Sequence, residues 1–285
     1  MADSGKHAQD AITEEEMTGE AVSAPDPSTN KRSNAFTELM MRKRPNTTKQ
    51  SYKSTSVPGA TTTFFGRDGL GAYIAHPEAF GPERVISYTD DWVVINDMYP
   101  KSVIHLLLLP RDPAKTLLHP YDAFEDAKFL EACKAELEKV KQIVASELRR
   151  RYGRGSKQDQ ARNEAMDSDD TPGPDELPEG RDWSQGLLTG IHAYPSMSNL
   201  HIHCLSPDRN SPCLKHRKHY NSFSTPFLVP LEAFPLPQDD PRRHPGRAGY
   251  MNREFVCWRC QRNFGKSFAK LKEHLGEEFD EWKTE

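Results

Sequence analysis

The fold is decided by one stretch of the sequence, which reads His192-Ala193-Tyr194-Pro195-Ser196-Met197-Ser198-Asn199-Leu200-His201-Ile202-His203-Cys204-Leu205. Polar and apolar side chains alternate over residues 199–203, and this pattern predicts a β-strand. Asn199, His201 and His203 then share one face, and the apolar residues between them pack into the interior. A neutral imidazole can attack phosphorus, so this face suits nucleotidyl transfer. Two structural or metal-binding histidines on a half-exposed strand fit the pattern equally, and both interpretations stay open.

The composition indicates a soluble intracellular protein with unstructured segments. Hydrophobic residues make up 35% of the 285 residues and the mean hydropathy is -0.79, both low for a compact globule. No apolar run reaches about 18 residues, the length needed to span a membrane. Residues 1–20 are acidic, whereas a signal peptide is basic and then apolar. We therefore expect no membrane partner.

Charge is distributed unevenly along the chain, whose formal net charge is -4. Residues 1–30 contain seven acidic residues against one Lys, and residues 159–182 contain nine against two Arg. Residues 241–274 reverse this balance, with nine Lys or Arg against two Glu. Such a basic segment is typical of a module that binds nucleic-acid phosphates, although a merely solvated surface also explains it.

Composition and periodicity predict three parts of the chain. Residues 1–63 form a disordered tail, in which residues 34–45 are a short amphipathic and basic segment of the kind that acts in nuclear import. Residues 64–234 form the main folded domain. Within it, residues 153–182 are rich in Gly, Pro and acidic residues and are predicted to be a disordered insertion. Residues 235–285 form a small C-terminal domain.

The predicted elements combine strands with helices. A hairpin is expected at residues 92–109, and two further strands at residues 186–192 and 200–205. Residues 121–151 carry apolar side chains at spacings of three or four, which predicts a helix with one buried stripe. Residues 264–282 repeat this helical period at the end of the chain.

The C-terminal domain has the spacing of a zinc finger. Two residues separate Cys257 from Cys260, and thirteen more precede His274. Glu277 and Glu278 lie three and four residues after His274, so either carboxylate can reach the same helical face and complete a tetrahedral site. The alternative is a helical tail with a chance pair of cysteines.

The histidine strand and its flanking residues resemble the histidine-triad superfamily and, more closely, its aprataxin family. The superfamily motif is His-φ-His-φ-His-φ-φ, where φ is apolar, and residues 199–205 match it except at Asn199. The aprataxin family adds His-x-x-Pro-Ser-Met before the strand, as at residues 192–197. It adds Ser-Pro-x-Leu-Lys and a His-aromatic pair after the strand, as at residues 211–220. Residues 97–102 resemble its ribose-binding turn.

The resemblance covers residues 64–152 and 183–285, nearly all of the chain that is expected to be ordered. It implies an α+β histidine-triad fold, in which an antiparallel sheet has flanking helices, fused to a small C-terminal zinc finger. The fungal members of the family imply one structural zinc ion per chain and no catalytic metal. The implied zinc ligands are Cys257, Cys260, His274 and Glu278.

The resemblance also implies a role for each histidine. His201 takes the place of the nucleophile, His203 contacts the transferred phosphate, and His192 stabilises or protonates the leaving group. The residues expected to bind AMP and its phosphate are Asp97, Lys101, Ser196, Ser198, Asn199, Lys215 and His219. Asn199 stands where the family has the first histidine of the triad, so it can form hydrogen bonds but cannot serve a role that needs protonation.

The implied function is the removal of AMP from the 5′ phosphate of DNA through an adenylyl-histidine intermediate, with AMP as a product. We expect a nuclear monomer that acts on 5′-adenylated nicked or double-stranded DNA, including RNA–DNA junctions. The expected DNA contacts are Phe64 or Phe65, which stack on the duplex end, and Arg253, Arg259 and Lys266. The alternatives are a hydrolase of small adenylylated or dinucleoside phosphates and a non-catalytic zinc-finger DNA-binding protein.

Overall fold

Within the residues described by the computed structural model, which are 67–170, 172–173 and 175–285, six strands form one antiparallel sheet. The predicted tail lies outside this range, as do Phe64 and Phe65. The strands are β1 Val85–Tyr88, β2 Trp92–Asn96, β3 His105–Pro110, β4 Leu188–His192, β5 Ile202–Leu205 and β6 Leu228–Val229, in the spatial order β1-β2-β3-β5-β4-β6. The helices are α1 Gly71–Ala75, α2 Pro120–Ala123, α3 Ala127–Tyr152, α4 Gln160–Met166, α5 Arg217–Ser224, α6 Pro245–Ala248 and α7 Phe268–Trp282.

The central strands are apolar on both faces because helices cover both sides of the sheet. The predicted hairpin is formed by β2 and β3, in which Val93 is paired with Leu109 and Ile95 with Leu107. These four side chains pack in the cluster that contains Leu70 and Ile74, beside α1. The alternate side chains of the same strands pack in the larger cluster under α3, and they are Val94, Leu106 and Leu108. The predicted antiparallel sheet with flanking helices is thereby confirmed.

Helix α3 supports the sheet along its whole length. Asp126 caps its first turn, since a carboxylate oxygen accepts hydrogen bonds from the backbone N–H groups of Lys128 and Phe129 at 3.0 and 3.2 Å. The buried side chains are those of the predicted stripe, Leu130, Cys133, Leu137, Val140, Val144 and Leu148. No helix in the described part of the chain is long and apolar enough to span a membrane.

The prediction that residues 153–182 are disordered is wrong for much of this segment, which contains helix α4. Asp159 is almost fully buried there. Its carboxylate accepts hydrogen bonds from the Arg181 backbone N–H at 2.8 Å and from the Trp183 indole N–H at 2.7 Å. One buried acid with directed donors therefore anchors a segment whose acidic composition is otherwise typical of disorder.

The zinc-finger residues share a hydrophobic core with the segment that follows β5. Leu214 and Tyr220 lie in one cluster with Phe255, Leu271 and Leu275. The Tyr220 hydroxyl donates to the backbone carbonyl of Val256 at 2.6 Å. The predicted division between residues 64–234 and 235–285 therefore does not coincide with a break in packing.

We expect Asp159→Ala to lower the free energy of unfolding by about 2–4 kcal/mol, because it leaves two buried donors without an acceptor. Urea unfolding of the variant measures this change. Asp169→Ala, at an exposed position of the same segment, is the control and should change the free energy by less than about 0.5 kcal/mol. If both substitutions change the free energy of unfolding by the same small amount, Asp159 does not anchor the segment and the prediction of disorder stands.

Candidate active site and zinc centre

His201 lies immediately before β5, and its imidazole is almost fully buried. Its Nδ1 lies 2.8 Å from the backbone carbonyl oxygen of Asn199. A carbonyl can only accept, so Nδ1 carries the proton and a neutral ring keeps its lone pair on Nε2. This single contact leaves Nε2 as the nitrogen that can attack an electrophile.

Asn199 acts on His201 through its main chain. Its side-chain amide donates instead to the Thr116 hydroxyl, at 3.4 Å. The backbone N–H of Leu200 donates to the carbonyl of Thr116 at 2.7 Å, and that of Ser198 donates to the carbonyl of Arg67 at 2.8 Å. The loop that presents the Asn199 carbonyl is thus fixed by backbone contacts, and the side chain at position 199 is not what orients His201.

His203 is oriented by His105, a site residue that the sequence reasoning did not identify. The backbone N–H of Lys101 donates to His105 Nδ1 at 3.2 Å, and His105 Nε2 lies 3.0 Å from His203 Nδ1. Since the amide fixes Nδ1 of His105 as an acceptor, His105 donates from Nε2 and neutral His203 carries its proton on Nε2. Among the described residues, none accepts a hydrogen bond from that Nε2. His203 Nε2 is therefore a buried donor that is available to a ligand.

His192 ends strand β4 and lies against His203, with ring centroids 4.5 Å apart. Phe223, from helix α5, contacts three of the histidines: its ring centroid lies 4.7 Å from that of His192, 5.1 Å from that of His203 and 5.3 Å from that of His105. Within the described part of the chain, His192 Nε2 has no hydrogen-bond partner. The structure thus places the predicted catalytic residues His192 and His203 on one apolar support, and the ring centroid of His201 lies 4.9 Å from that of His203.

Burial keeps these imidazoles uncharged. It lowers the pKa of His105 to about 4 and places the pKa values of His192 and His203 well below the ordinary histidine value. The pKa of His201 is also lowered by burial, against which the bond to the Asn199 carbonyl and the charge of Asp97 act in the opposite direction. His201 is therefore neutral near pH 7.

The predicted ribose-binding turn lies beside the histidines. Asp97 Oδ1 accepts from the backbone N–H of Tyr99 at 2.7 Å, and its Oδ2 lies 3.4 Å from His105 Nδ1. Lys101 is buried, and its ammonium donates to the carbonyl of Tyr99 at 2.6 Å. Burial lowers the pKa of Lys101, whereas the nearby Asp97 raises it. A carboxylate and a buried cation are thereby held next to the histidines.

The other predicted phosphate residues lie on two segments, one before and one after β5. Ser196 and Ser198 are half-buried in the loop between β4 and β5. Lys215 is exposed, and its backbone N–H donates to Nδ1 of the buried His219 at 3.1 Å, at the start of α5. Ser211 ties this segment to the turn, since its hydroxyl donates to the carbonyl of Pro100 at 2.5 Å.

The four predicted zinc ligands converge at the C-terminal helix. One donor atom from each of them lies within 4.8 Å of the others, and they are Cys257, Cys260, His274 and Glu278. Cys260 Sγ lies 3.1 Å from His274 Nε2, which in turn lies 3.0 Å from Glu278 Oε1. Two thiols, one imidazole and one carboxylate at these separations fit a tetrahedral structural zinc ion.

Glu277, the other candidate ligand, lies on the opposite side of the imidazole. Its Oε2 is 3.3 Å from His274 Nδ1, where it orients the ring instead of binding the metal. Arg259 contacts the second oxygen of Glu278 at 2.7 Å, and also contacts Glu281 and Glu285 at 2.9 and 2.5 Å. Arg259, which was predicted to bind DNA, therefore forms ion pairs with three carboxylates of its own chain.

The remaining predicted DNA contacts differ in exposure and position. Arg253 and Lys266 are exposed on the zinc-finger part of the chain. The neighbouring Arg242 pairs with Asp240 at 2.6 Å, and Arg243 donates to the carbonyl of Leu236 at 2.6 Å. The finger thus presents fewer available cations than its composition suggests.

We expect Glu278→Ala to weaken zinc binding by about 10³-fold or more, because it removes a ligand of the tetrahedral site. Glu277→Ala removes only the carboxylate that orients His274, and should weaken binding by about 10- to 100-fold. Competition with a chromophoric chelator measures both. The assignment is wrong if Glu277→Ala has the larger effect.

Comparison with known proteins identifies the family of each part of the chain. Residues 79–210 match the HIT domain, and residues 224–281 match the C2HE / C2H2 / C2HC zinc-binding finger. The chain is 35% identical to an aprataxin-like protein of Schizosaccharomyces pombe, over 76% of this chain and 82% of that protein. It is 34% identical to an aprataxin-like protein of Saccharomyces cerevisiae, over 75% and 96%.

Among solved structures, the crystal structure of aprataxin ortholog Hnt3 in complex with DNA is similar, with a TM-score of 0.59 and 32% identity. The match covers 76% of this chain and 96% of that one. Sequence, fold and both centres therefore agree, and the chain belongs to the aprataxin family of HIT-domain proteins.

Proposed function

We propose that this protein removes AMP from 5′-adenylated DNA through an adenylyl-histidine intermediate and restores the 5′ phosphate. The observation that carries the proposal is the hydrogen bond from His201 Nδ1 to the Asn199 carbonyl, which gives a buried neutral imidazole a free lone pair on Nε2. DNA as the substrate is supported by the solved relative in complex with DNA and by the exposed cations Arg253 and Lys266.

In the first step, His201 Nε2 forms a bond to the AMP phosphorus while the bond from phosphorus to the oxygen of the DNA 5′ phosphate breaks. The DNA 5′ phosphate departs as an anion without taking up a proton, and neutral His192 stabilises it by a hydrogen bond. His203 donates from Nε2 to a non-bridging oxygen, and the ammonium groups of Lys101 and Lys215 balance the negative charge. Asp97 accepts hydrogen bonds from the ribose hydroxyls.

In the second step, water attacks the phosphorus of adenylyl-His201 and releases AMP, and the proton of the water passes to the basic group at the leaving-group position, His192. The ring of Phe223 keeps bulk water away from the histidines on one side. The chemistry thus uses only side chains of this chain, and the zinc centre holds the finger in shape.

We place one zinc ion in each chain, with nicked or double-stranded DNA and RNA–DNA junctions as substrates. The protein acts as a monomer in the nucleus. A hydrolase of small AMP esters remains the second candidate, because the histidine site itself does not require DNA.

We expect the full-length protein to release AMP from 5′-adenylated nicked DNA, and His201→Ala to lower the rate by at least about 10³-fold. The affinity of the variant for the same DNA should stay within about threefold, since the imidazole serves the chemical step. Release of AMP from a 4-nitrophenyl ester of AMP alone would favour the second candidate. Binding of adenylated DNA without any AMP release would favour a non-catalytic DNA-binding protein.

We expect Asn199→Ala to retain AMP release within about tenfold of the wild type, because the backbone carbonyl that orients His201 is preserved. Single-turnover rates on adenylated DNA measure this effect. A loss as large as that of His201→Ala would show that the amide side chain takes part in the chemistry.

We expect kcat/KM to fall on the acid side only below pH 6.5, the ordinary pKa of histidine, because burial lowers the pKa of His201. His201 then stays unprotonated until the solution is more acidic than an exposed histidine would require. Rates on the 4-nitrophenyl ester of AMP between about pH 4 and pH 8 test this. An acid limb centred above pH 6.5 contradicts it.

A further inference from the structure

Arg209 is a buried arginine that the mechanism does not use. It follows β5 by four residues, and only 6% of its surface is exposed. Its backbone has a φ of 46°, in the left-handed region that disfavours side chains, and its N–H donates to the Ser102 hydroxyl at 3.2 Å. A strained, buried cation of this kind needs a specific reason for its position.

One end of the Arg209 guanidinium holds helix α5. Nη2 donates to the backbone carbonyl of Phe223 at 3.1 Å, and Nη1 donates to the carbonyl of Pro207 at 2.8 Å. Phe223 is the residue whose ring contacts His105, His192 and His203. The guanidinium therefore holds the backbone of the residue whose ring supports the histidines.

The other surface of the guanidinium faces the zinc finger. Its central carbon lies 5.9 Å from the ring centroid of Trp258 and 6.0 Å from that of Tyr220, within the range of cation–π contact. Trp258 stands between the ligands Cys257 and Cys260. Movement of this short loop therefore changes the environment of Arg209.

The charge of Arg209 also connects it to the metal centre. Asp208 is also within electrostatic reach of Arg209, although no ion pair joins the two side chains among the described residues. Its carboxylate instead accepts from the Ser206 hydroxyl and from the backbone N–H groups of Val103 and Asn210. A zinc ion held by two thiolates, one carboxylate and a neutral imidazole has one net negative charge, and Cys257 is within electrostatic reach of Arg209.

We propose that Arg209 is a positioning residue that links the zinc loop around Trp258 to Phe223 and so to the catalytic histidines. The zinc finger then supports the chemical step itself, in addition to any contact with DNA. This inference rests on the proposed function, because it assigns the histidines a reaction. It predicts that zinc affinity and turnover of a substrate without DNA change together.

The test compares Arg209→Met, Trp258→Leu and the double variant in the full-length zinc-loaded protein. We expect Arg209→Met to lower kcat on the 4-nitrophenyl ester of AMP by about tenfold with KM within about twofold, and to weaken zinc binding by about tenfold. The double variant should lose less in each measurement than the product of the two single losses. Arg150→Met is the matched control, since Arg150 is exposed and pairs with Glu147.

A change in thermal stability alone, or in only one of kcat and zinc affinity, overturns the proposal, as does full additivity of the two substitutions. If Arg209→Met does not fold, Arg209→Lys and Trp258→Phe are judged by the same two measurements. Ring ¹⁵N signals of His192 and His203 provide a readout without catalysis: they should shift in Arg209→Met and not in Arg150→Met. A wild type that is inactive on both substrates refutes the proposed function, whereas unshifted histidine signals refute the link.

Discussion

The site depends on keeping four imidazole rings buried and uncharged, because a charged ring in this apolar setting would cost far more than its contacts return. A neutral imidazole has one nitrogen that donates a hydrogen bond and one that accepts. A neighbour that can only donate or only accept determines which nitrogen carries the proton. The backbone provides them: the Asn199 carbonyl acts on His201, and the Lys101 amide acts on His203 through His105. Because both groups are main chain, the replacement of the first triad histidine by asparagine leaves the orientation of the nucleophile intact.

The second constraint is that the zinc finger is too small to fold on its own core. Two features stabilise the finger. Its four ligands bind a metal, and its apolar residues pack against Leu214 and Tyr220 of the segment that carries Lys215 and His219. Helix α5 therefore belongs to both centres, since Phe223 contacts three histidine rings and Tyr220 packs in the cluster of the finger. A structural change in one centre can therefore reach the other through helix α5.

Periodicity and spacing predicted the parts of the structure that repeat: the stripe of α3, the β2–β3 hairpin and the convergence of Cys257, Cys260 and His274. Spacing could not choose between Glu277 and Glu278, since both lie within one turn of the imidazole. His105 was missed because it reads as the first residue of an apolar strand, although a histidine on the same face as Leu107 and Leu109 was a usable signal. The order of residues 153–166 could not be predicted, since composition does not reveal that Asp159 finds two donors from residues far along the chain.

The ion pairs of Arg259 change how the charge of the finger should be counted. Glu278, Glu281 and Glu285 already balance the charge of Arg259, so this residue is not available to neutralise a phosphate and release a counterion from DNA. The affinity of a protein for duplex DNA falls with salt in proportion to the phosphates it neutralises, by a logarithmic slope of about 0.9 for each. Only cations without a carboxylate partner in the fold contribute to that slope. The slope therefore reports the arginines and lysines that form no ion pair within the protein. Lys266 and Arg253 are exposed and available for such contacts, whereas Arg259 holds the carboxylates around the metal centre.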